Sequence, residues 1–540
     1  MKLQLLGPLD RVTGSMSLLT DDRLGVRILV DAGVRQGEVD AERWNQGPLP
    51  CDAASLTHVL LTHAHLDHCG LLPRLYAEGY RGRVVCTAET AALTRVQLED
   101  AARVARADPT SIQAVDFDGR SERFGSYIPL ARDVFVQMFP TSHILGAVSM
   151  RVSWGAPKTP AQRSIVFSGD LGRNVDRRES FLFGRHRQHP PPSTFAVIET
   201  TYGDRVRELA GESFLGRVGA LREHIVRARS CGGSVVVAAF ALDRFQMILL
   251  DLAYLASIDS TLASIPILAH GPLAKKFSSI YARFVDAKDP TSAGELRPRW
   301  LSKSAFRLLG LDERSAQDER TLEQAMRVIL DPASTGASPL RGLVRAHRWV
   351  DAREVPSEPH VVVTCGGMLE GGPILHYLAD VLPDQRATLL LSGHAGPRTL
   401  GGKLVTLGRL LPSDRTRVPD AIDLPGVCLP VAEGRARIDL LPGYSAHADQ
   451  AGLLAWLMYE YDGRPQRVAQ TVFLQHGTQT SRRALTAKIA HCAPDMAVIL
   501  PSEGAYEFDL EGPVGPSREA LEARIALLEA ELRAARAAAA

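Results

Sequence analysis

The sequence predicts an α/β protein built from more than one sheet, and three changes of rhythm along the chain predict it. Over the first 200 residues, short apolar or β-branched runs follow closely on one another, separated by turn residues. From about residue 205, helix and strand patterns alternate at βαβ spacing, which predicts a parallel sheet. From about residue 425 the short strands return. A chain of 540 residues has room for about three or four domains. Its 45% hydrophobic and 23% charged content is that of a globular chain and excludes a disordered or fibrous one.

Strands are predicted at 3–6, 26–31, 58–62, 84–86, 134–139, 147–152, 165–168 and 196–199, each bounded by Gly, Pro, Asp or Ser. Helices are predicted at 71–78 and 89–105, the second with Thr87 as its N-cap. The second stretch reads as helix 213–228, strand 234–239, helix 243–256 and strand 266–270. It continues with strand 361–364, helix 372–381 and strand 388–392. Residues 286–355, rich in charge, Pro and Ser, read as an insertion with one helix near 321–330. Strands at 437–441, 471–474 and 498–500 close the pattern. In the tail, Leu521, Ile525, Leu528 and Leu532 repeat at heptad-like spacing, which predicts a short helix over 516–540. That helix either packs on its own protein or forms the seam of a homodimer.

The seven cysteines stand singly, without CxxC spacing, as expected of reduced thiols in a cytoplasmic protein. The apolar stretch at the amino terminus is too short for a signal peptide, and no run is long enough to predict a membrane span. Lys+Arg exceed Asp+Glu by only 62 − 61 = +1, so any nucleic-acid role rests on local patches.

The strongest chemical signal is His63-Ala-His65-Leu-Asp67-His68. His63 and His65 stand two apart at a strand end, so both rings point the same way. Three imidazoles and a carboxylate in six residues are costly to bury unless they bind metal. The donor set suits Zn²⁺ or a similar cation. Asp31, His143, Asp170 and His476 each follow a predicted strand, and strand ends converge on one rim of a sheet sandwich.

His-x-His-x-Asp-His is the marker of the metallo-β-lactamase superfamily, which the sequence resembles. The resemblance implies an αββα sandwich with two metal ions. His63, His65 and His143 would hold one ion, and Asp67, His68 and His476 the other. Asp170 would bridge them, and Asp31 would orient the loop behind them. Glu199-Thr-Thr-Tyr-Gly203, Tyr444-Ser-Ala-His447 and His476-Gly477 resemble signatures of the β-CASP family within that superfamily. The blocks 239–246, 271–274 and 366–372 are family-like as well. The resemblance covers residues 1 to about 510.

It implies a metallo-β-lactamase sandwich made of 1–204 and 425–510, with a β-CASP α/β domain, 205–424, inserted between them. β-CASP proteins are nucleases, among them RNA 3′-end-processing endonucleases and ribonuclease J. The branch acting on DNA generally lacks the last His, so His476 favours RNA. The implied activity is hydrolysis of single-stranded RNA by two zinc ions, leaving 5′-phosphate and 3′-hydroxyl ends. Asp67 and Asp170 would serve at the metals, and His447, held by Glu199, would protonate the leaving oxygen. A non-cleaving RNA scaffold and an ester or thioester hydrolase are the alternative functions.

Arg173, Arg177, Arg178, Arg185 and Arg187 follow Asp170 closely and are candidate phosphate contacts, as is Ser445. Four arginines surround Trp349, which suggests base stacking or a structural role. One block departs from the family, which reads Gly-Thr-Leu-Gly-Arg where this chain has Arg398-Thr-Leu-Gly-Gly-Lys403. Arg398 and Lys403 are therefore candidate RNA contacts of altered geometry. The sequence shows no counterpart of the amino-terminal RNA-binding domains of some archaeal relatives. The short tail helix stands where ribonuclease J has its extra carboxyl domain.

Overall fold

The computed structural model describes residues 1–512 except 38–39, 107, 109, 157–158, 160–161, 174–186, 208–212, 285–287, 291–295, 299, 301–347, 352–356, 394–395, 397–398, 411, 416–420, 425–426 and 503–505. Beyond 512 it describes 525, 529 and 533. The predicted helix near 321–330 lies outside these residues, as does the predicted tail helix apart from those three positions.

Two seven-stranded sheets face each other. The first runs Glu507–Asp509, Lys2–Leu5, Ser17–Asp21, Val26–Val30, His58–Leu60, Val84–Thr87, Phe117–Arg120. The second runs Ala497–Ile499, Ala469–Gln475, Ser193–Glu199, Arg163–Phe167, Val148–Trp154, Val134–Pro140, Ile128–Ala131. Each is antiparallel at one end and parallel at the other, where crossovers carry helices onto the outer face. Alternation along each strand decides the layers. On Val26–Val30, Ile28 and Val30 enter the core between the sheets, while Leu29 faces the helices Leu72–Ala77 and Ala88–Ala105. On Ser193–Glu199, Phe195 and Val197 point inward and Ala196 and Ile198 outward, beneath Gln450–Leu457 and Gln479–Cys492. The result is an αββα sandwich. Thr87 caps Ala88–Ala105 as predicted, its hydroxyl accepting from the Thr90 amide at 3.2 Å.

A six-stranded, wholly parallel sheet forms the second unit, in the order Arg348–Trp349, Ile267–His270, Val361–Cys365, Val235–Ala239, Thr388–Leu391, Arg437–Leu440. Both faces are covered, so Val235-Val-Val-Ala-Ala239 is buried throughout. Two strands correct the sequence reading. Arg437–Leu440 pairs with Thr388–Leu391 in this sheet, although it was assigned to the returning sandwich. Arg348–Trp349, assigned to the insertion, forms an edge of the same sheet. A strand of two to four residues reads alike in any sheet, and only its partner tells which one it joins. The helices Pro272–Phe284, Leu400–Gly408, Gln450–Leu457 and Gln479–Cys492 were not predicted. Leu242, Leu250, Phe277 and Tyr281 of the second unit join Ile144 and Leu145 in the core of the sandwich, so the two units share packing beside His143. No described helix is long and apolar enough to cross a membrane.

Candidate metal centre

Six chain segments end at one rim of the sandwich. Val26–Val30 leads into Asp31, His58–Leu60 into the 61–68 turn, and Val134–Pro140 into His143. Arg163–Phe167 leads into Asp170, Ser193–Glu199 ends on Glu199, and Ala469–Gln475 leads into His476. Asp31, Ser142 and His476 take positive φ values of 60°, 64° and 54°. Such conformations are uncommon for residues with a side chain and persist where surrounding structure over-determines them. Backbones also approach closely here. A Cβ on Gly33 would lie 1.6 Å from the Asp67 carbonyl oxygen, and one on Gly172 would lie 1.9 Å from that of Ser142.

His63, His65, His143 and Asp170 form one group of donors, and Asp67, His68 and His476 another. In the first, His65 Nδ1 lies 3.1 Å from both His63 Nε2 and His143 Nε2. Asp170 Oδ2 lies 3.4 Å from each of those Nε2 atoms. In the second, Asp170 Oδ1 lies 3.3 Å from His68 Nε2 and 3.5 Å from His476 Nε2, which stands 3.9 Å from Asp67 Oδ2. Asp170 thus turns one oxygen to each group.

These spacings fit a pair of cations. Four donors about 2.0–2.1 Å from one ion stand roughly 3.3 Å apart in a tetrahedron. His68 Nε2 and Asp170 Oδ1 are buried without a hydrogen-bond partner, a costly state that a cation relieves. Burial pushes the His65 and His143 imidazoles well below their ordinary pKa, which leaves neutral rings with lone pairs to give. Burial pushes Asp170 the other way, but the surrounding imidazoles, His476 and His68 foremost, outweigh it and hold the carboxyl well below its usual range.

The shell behind the donors fixes their tautomers. His68 Nδ1 donates to Asp31 Oδ2 at 2.7 Å, which turns Nε2 toward Asp170. The Thr62 amide donates to Asp31 Oδ1 at 2.8 Å, and the Thr62 hydroxyl gives its proton to the same carboxylate. That hydroxyl then accepts from His63 Nδ1 at 3.1 Å. Thr62 was missed in the sequence, because a threonine at a strand end carries no signal of its own.

On the open side stands His447. Its Nε2 lies 3.8 Å from Asp170 Oδ2, and its Nδ1 donates to Glu199 Oε1 at 3.3 Å. Glu199 is itself fixed, accepting from the Leu171 amide at 2.8 Å and the Thr201 amide at 3.1 Å. Burial lowers the His447 pKa, but Glu199 and Asp170 more than reverse this, and it is pushed up to about 9. Tyr444, three residues earlier, is buried in the second unit, where its hydroxyl donates to Asp251 Oδ2 at 2.8 Å. Arg217 binds the same carboxylate through two nitrogens at 2.7 and 3.1 Å. The segment 444–447 is therefore anchored in one unit and delivers its imidazole to the other.

The candidate RNA contacts fare unevenly. Arg173 lies half-buried beside Gly172, at the edge of the centre. Arg187 is a correction: it is buried and donates to the Gly452 carbonyl at 2.9 Å, so it holds the fold. The Ser445 hydroxyl donates to the Tyr202 oxygen at 3.2 Å. Lys403 is exposed on the helix Leu400–Gly408. Arg177, Arg178, Arg185 and Arg398 lie outside the described residues. Trp349 stacks on Phe245 at 5.7 Å, a structural role.

A sheet sandwich with a two-group His/Asp centre on its rim, capped by a parallel α/β unit, defines a hydrolase architecture of the metallo-β-lactamase type. Residues 26–187 match the family model of the beta-lactamase superfamily domain, and residues 245–404 that of the Beta-Casp domain. The chain is 30% identical to Ribonuclease TTHA0252 of Thermus thermophilus, over 93% of this chain and 99% of that one. It is 25% identical to the transcription termination factor FttA of Cenarchaeum symbiosum over 83% of this chain, spanning 62% of that factor's length. An RNase J-like protein of Methanocaldococcus jannaschii is 24% identical, over 73% of this chain and 78% of its own. The chain belongs to the β-CASP family of the metallo-β-lactamase superfamily, whose fold implies binding of divalent metal.

Proposed function

We propose that the protein is a two-zinc phosphodiesterase that cleaves single-stranded RNA to 5′-phosphate and 3′-hydroxyl ends. The observation that carries this is Asp170, with one oxygen toward each donor group and the His447 imidazole on its third side. Zinc is preferred for the imidazole-rich donor set and the near-tetrahedral spacing. RNA is preferred because the relative matched over nearly its whole length is named a ribonuclease. Bound at these donors, divalent cations lower the pKa of water and neutralise charge on phosphoryl oxygens.

The chain's own residues do the rest. Asp31 and Thr62 hold His68 and His63 with their Nε2 atoms turned inward. Glu199 keeps His447 protonated and oriented. His447 then gives its Nε2 proton to the departing ribose 3′-oxygen, which would otherwise leave as a poor alkoxide.

The test is incubation of the purified protein with 5′-labelled linear RNA and with circular RNA, alongside elemental analysis. Cleavage to 5′-phosphate ends with nearly two zinc per chain supports the reading, and cut circles assign endonuclease action. Active protein without bound transition metal, or metal-loaded protein inert on RNA, refutes it.

A further inference from the structure

The imidazoles of the centre differ in how they are held from behind. His63 and His68 each have Nδ1 hydrogen-bonded, to Thr62 and to Asp31, whereas the buried Nδ1 of His143 has no hydrogen-bond partner among the described residues. The His143 ring is therefore oriented by its backbone and its packing. That backbone is a tight loop between Val134–Pro140 and Val148–Trp154. Its Thr141 amide donates to the Ala147 carbonyl and its Ala147 amide to that of Ile144, both at 3.1 Å. On one side the loop is pinned by the sandwich, where the Gly146 carbonyl accepts from the Thr87 and Thr90 hydroxyls at 2.8 and 3.0 Å.

A second pin comes from the inserted unit. Tyr281, on the helix Pro272–Phe284, is fully buried and shares a core with Ile144 and Leu145. Its oxygen is hydrogen-bonded by the Leu145 backbone. Its hydroxyl donates to Asp243 Oδ1 at 3.1 Å, and Asp243 Oδ2 accepts from Arg244 Nη1 at 2.8 Å. Asp243 has φ 72° and ψ −59°, and the Arg244 amide donates to the Leu242 carbonyl at 3.0 Å. Together these make a γ-turn of the rare, strained kind. Such a backbone persists where its surroundings over-determine it, and here a bond to each carboxylate oxygen does so.

We infer that Asp243 and Tyr281 are positioning residues for His143, through which the inserted unit sets the direction of that imidazole by way of the Leu145 backbone. Affinity for an ion held by His63, His65 and His143 then depends on the inserted unit, and affinity for one held by Asp67, His68 and His476 does not. The inference rests on the two-zinc reading proposed above, and is independent of what the protein cleaves.

The test loads the whole chain with zinc and follows its stepwise transfer to a chromogenic chelator, which gives the affinity of each ion. The ion missing from His143→Ala identifies the first group. Tyr281→Phe removes one oxygen and keeps the ring. It weakens that ion about tenfold, the low end of the cost of losing a group behind a metal-binding histidine, and leaves the other ion at its wild-type affinity. Asp243→Gly removes the acceptor, adopts the turn without strain, and has the same effect. The double variant also loses about tenfold, not a hundredfold, because the two side chains act through one hydrogen bond. In the His143→Ala background, Tyr281→Phe leaves the remaining ion unchanged. A tyrosine that only filled the core would lower the urea midpoint of the metal-free protein and leave both zinc affinities as they were.

Tyr281→Phe with both wild-type affinities, or with both ions weakened alike, overturns the inference, as does a hundredfold loss in the double variant. Wild-type protein that binds only the ion lost in His143→Ala refutes the two-zinc reading instead, and the same variants still decide the role of Tyr281. Wild-type protein with no ion that depends on His143 overturns both.

Discussion

Replacing His447 with alanine isolates the proton-transfer half of the proposed reaction. The side chain clusters with Glu199 and Asp170, and it belongs to neither the His63/His65/His143/Asp170 group nor the Asp67/His68/His476 group. With its pKa raised to about 9, it is almost wholly protonated at pH 7.5. Loss of a positioned general acid costs about 10²–10⁴-fold in rate, or roughly 2.7–5.5 kcal/mol on the barrier. Single-turnover cleavage measured beside zinc content gives the contrast. His447→Ala loses that factor and keeps both metals, whereas His476→Ala, which removes a donor 3.5 Å from Asp170, loses metal too. An RNA with sulfur in place of the 3′-oxygen at the cut needs no proton on leaving, so it restores most of the rate of His447→Ala. Glu199→Gln removes the charge that raises the imidazole pKa. Activity that needs the protonated ring disappears as pH rises through that pKa, so this variant loses activity at lower pH than the wild type. His447→Ala cleaving at the parental rate, or losing zinc as His476→Ala does, would refute the role.

Gly33→Ala is expected to weaken metal binding severalfold or more, because its Cβ would strike the Asp67 carbonyl; unchanged zinc retention against a chelator would contradict this. Asp251→Ala leaves the Arg217 guanidinium buried without its carboxylate and should cost about 3–5 kcal/mol in urea unfolding. A loss under 1 kcal/mol would show the pair to be dispensable. His189, half-buried, accepting no proton readily, and stacked on Tyr459, has its pKa lowered to about 4 by burial. A depressed imidazole contributes stability that is present above its unfolded pKa of about 6.5 and lost as pH falls toward 4, at up to about 1.4 kcal/mol per unit. His189→Phe should flatten that part of the stability profile, and equal slopes for the two proteins would rule it out.

The sandwich was legible because its strands are apolar runs closed by turn residues, and burial of both outer and inner faces leaves few polar interruptions. The seven donors were legible for a different reason: imidazoles and carboxylates directly after such runs have few other uses. What escaped depends on partners distant in sequence. Arg437–Leu440 looks the same whichever sheet accepts it. Arg187 sits among arginines and reads as part of a solvated basic loop, yet the Gly452 carbonyl, 265 residues away, takes it into the interior. Tyr202 was read only as a letter of a signature. Its edge-to-face contact with His447 exists only after residues 444–450 have folded back onto it.

The place of Ala469–Gln475 in the second sheet bears on how the protein is made. This strand lies between Ser193–Glu199 and Ala497–Ile499, so the sheet gains its penultimate strand only after the whole inserted unit has been synthesised. Until then Ser193–Glu199, buried along nearly its whole length in the finished fold, is an uncovered edge of the kind that recruits other chains. His476 emerges at the end of the same late strand. A chain still on the ribosome at residue 450 would therefore lack both the closing strand and a donor of the second group, so it would be aggregation-prone and unable to cut RNA beside it. Pairing of this one strand both covers Ser193–Glu199 and brings His476 to the rim.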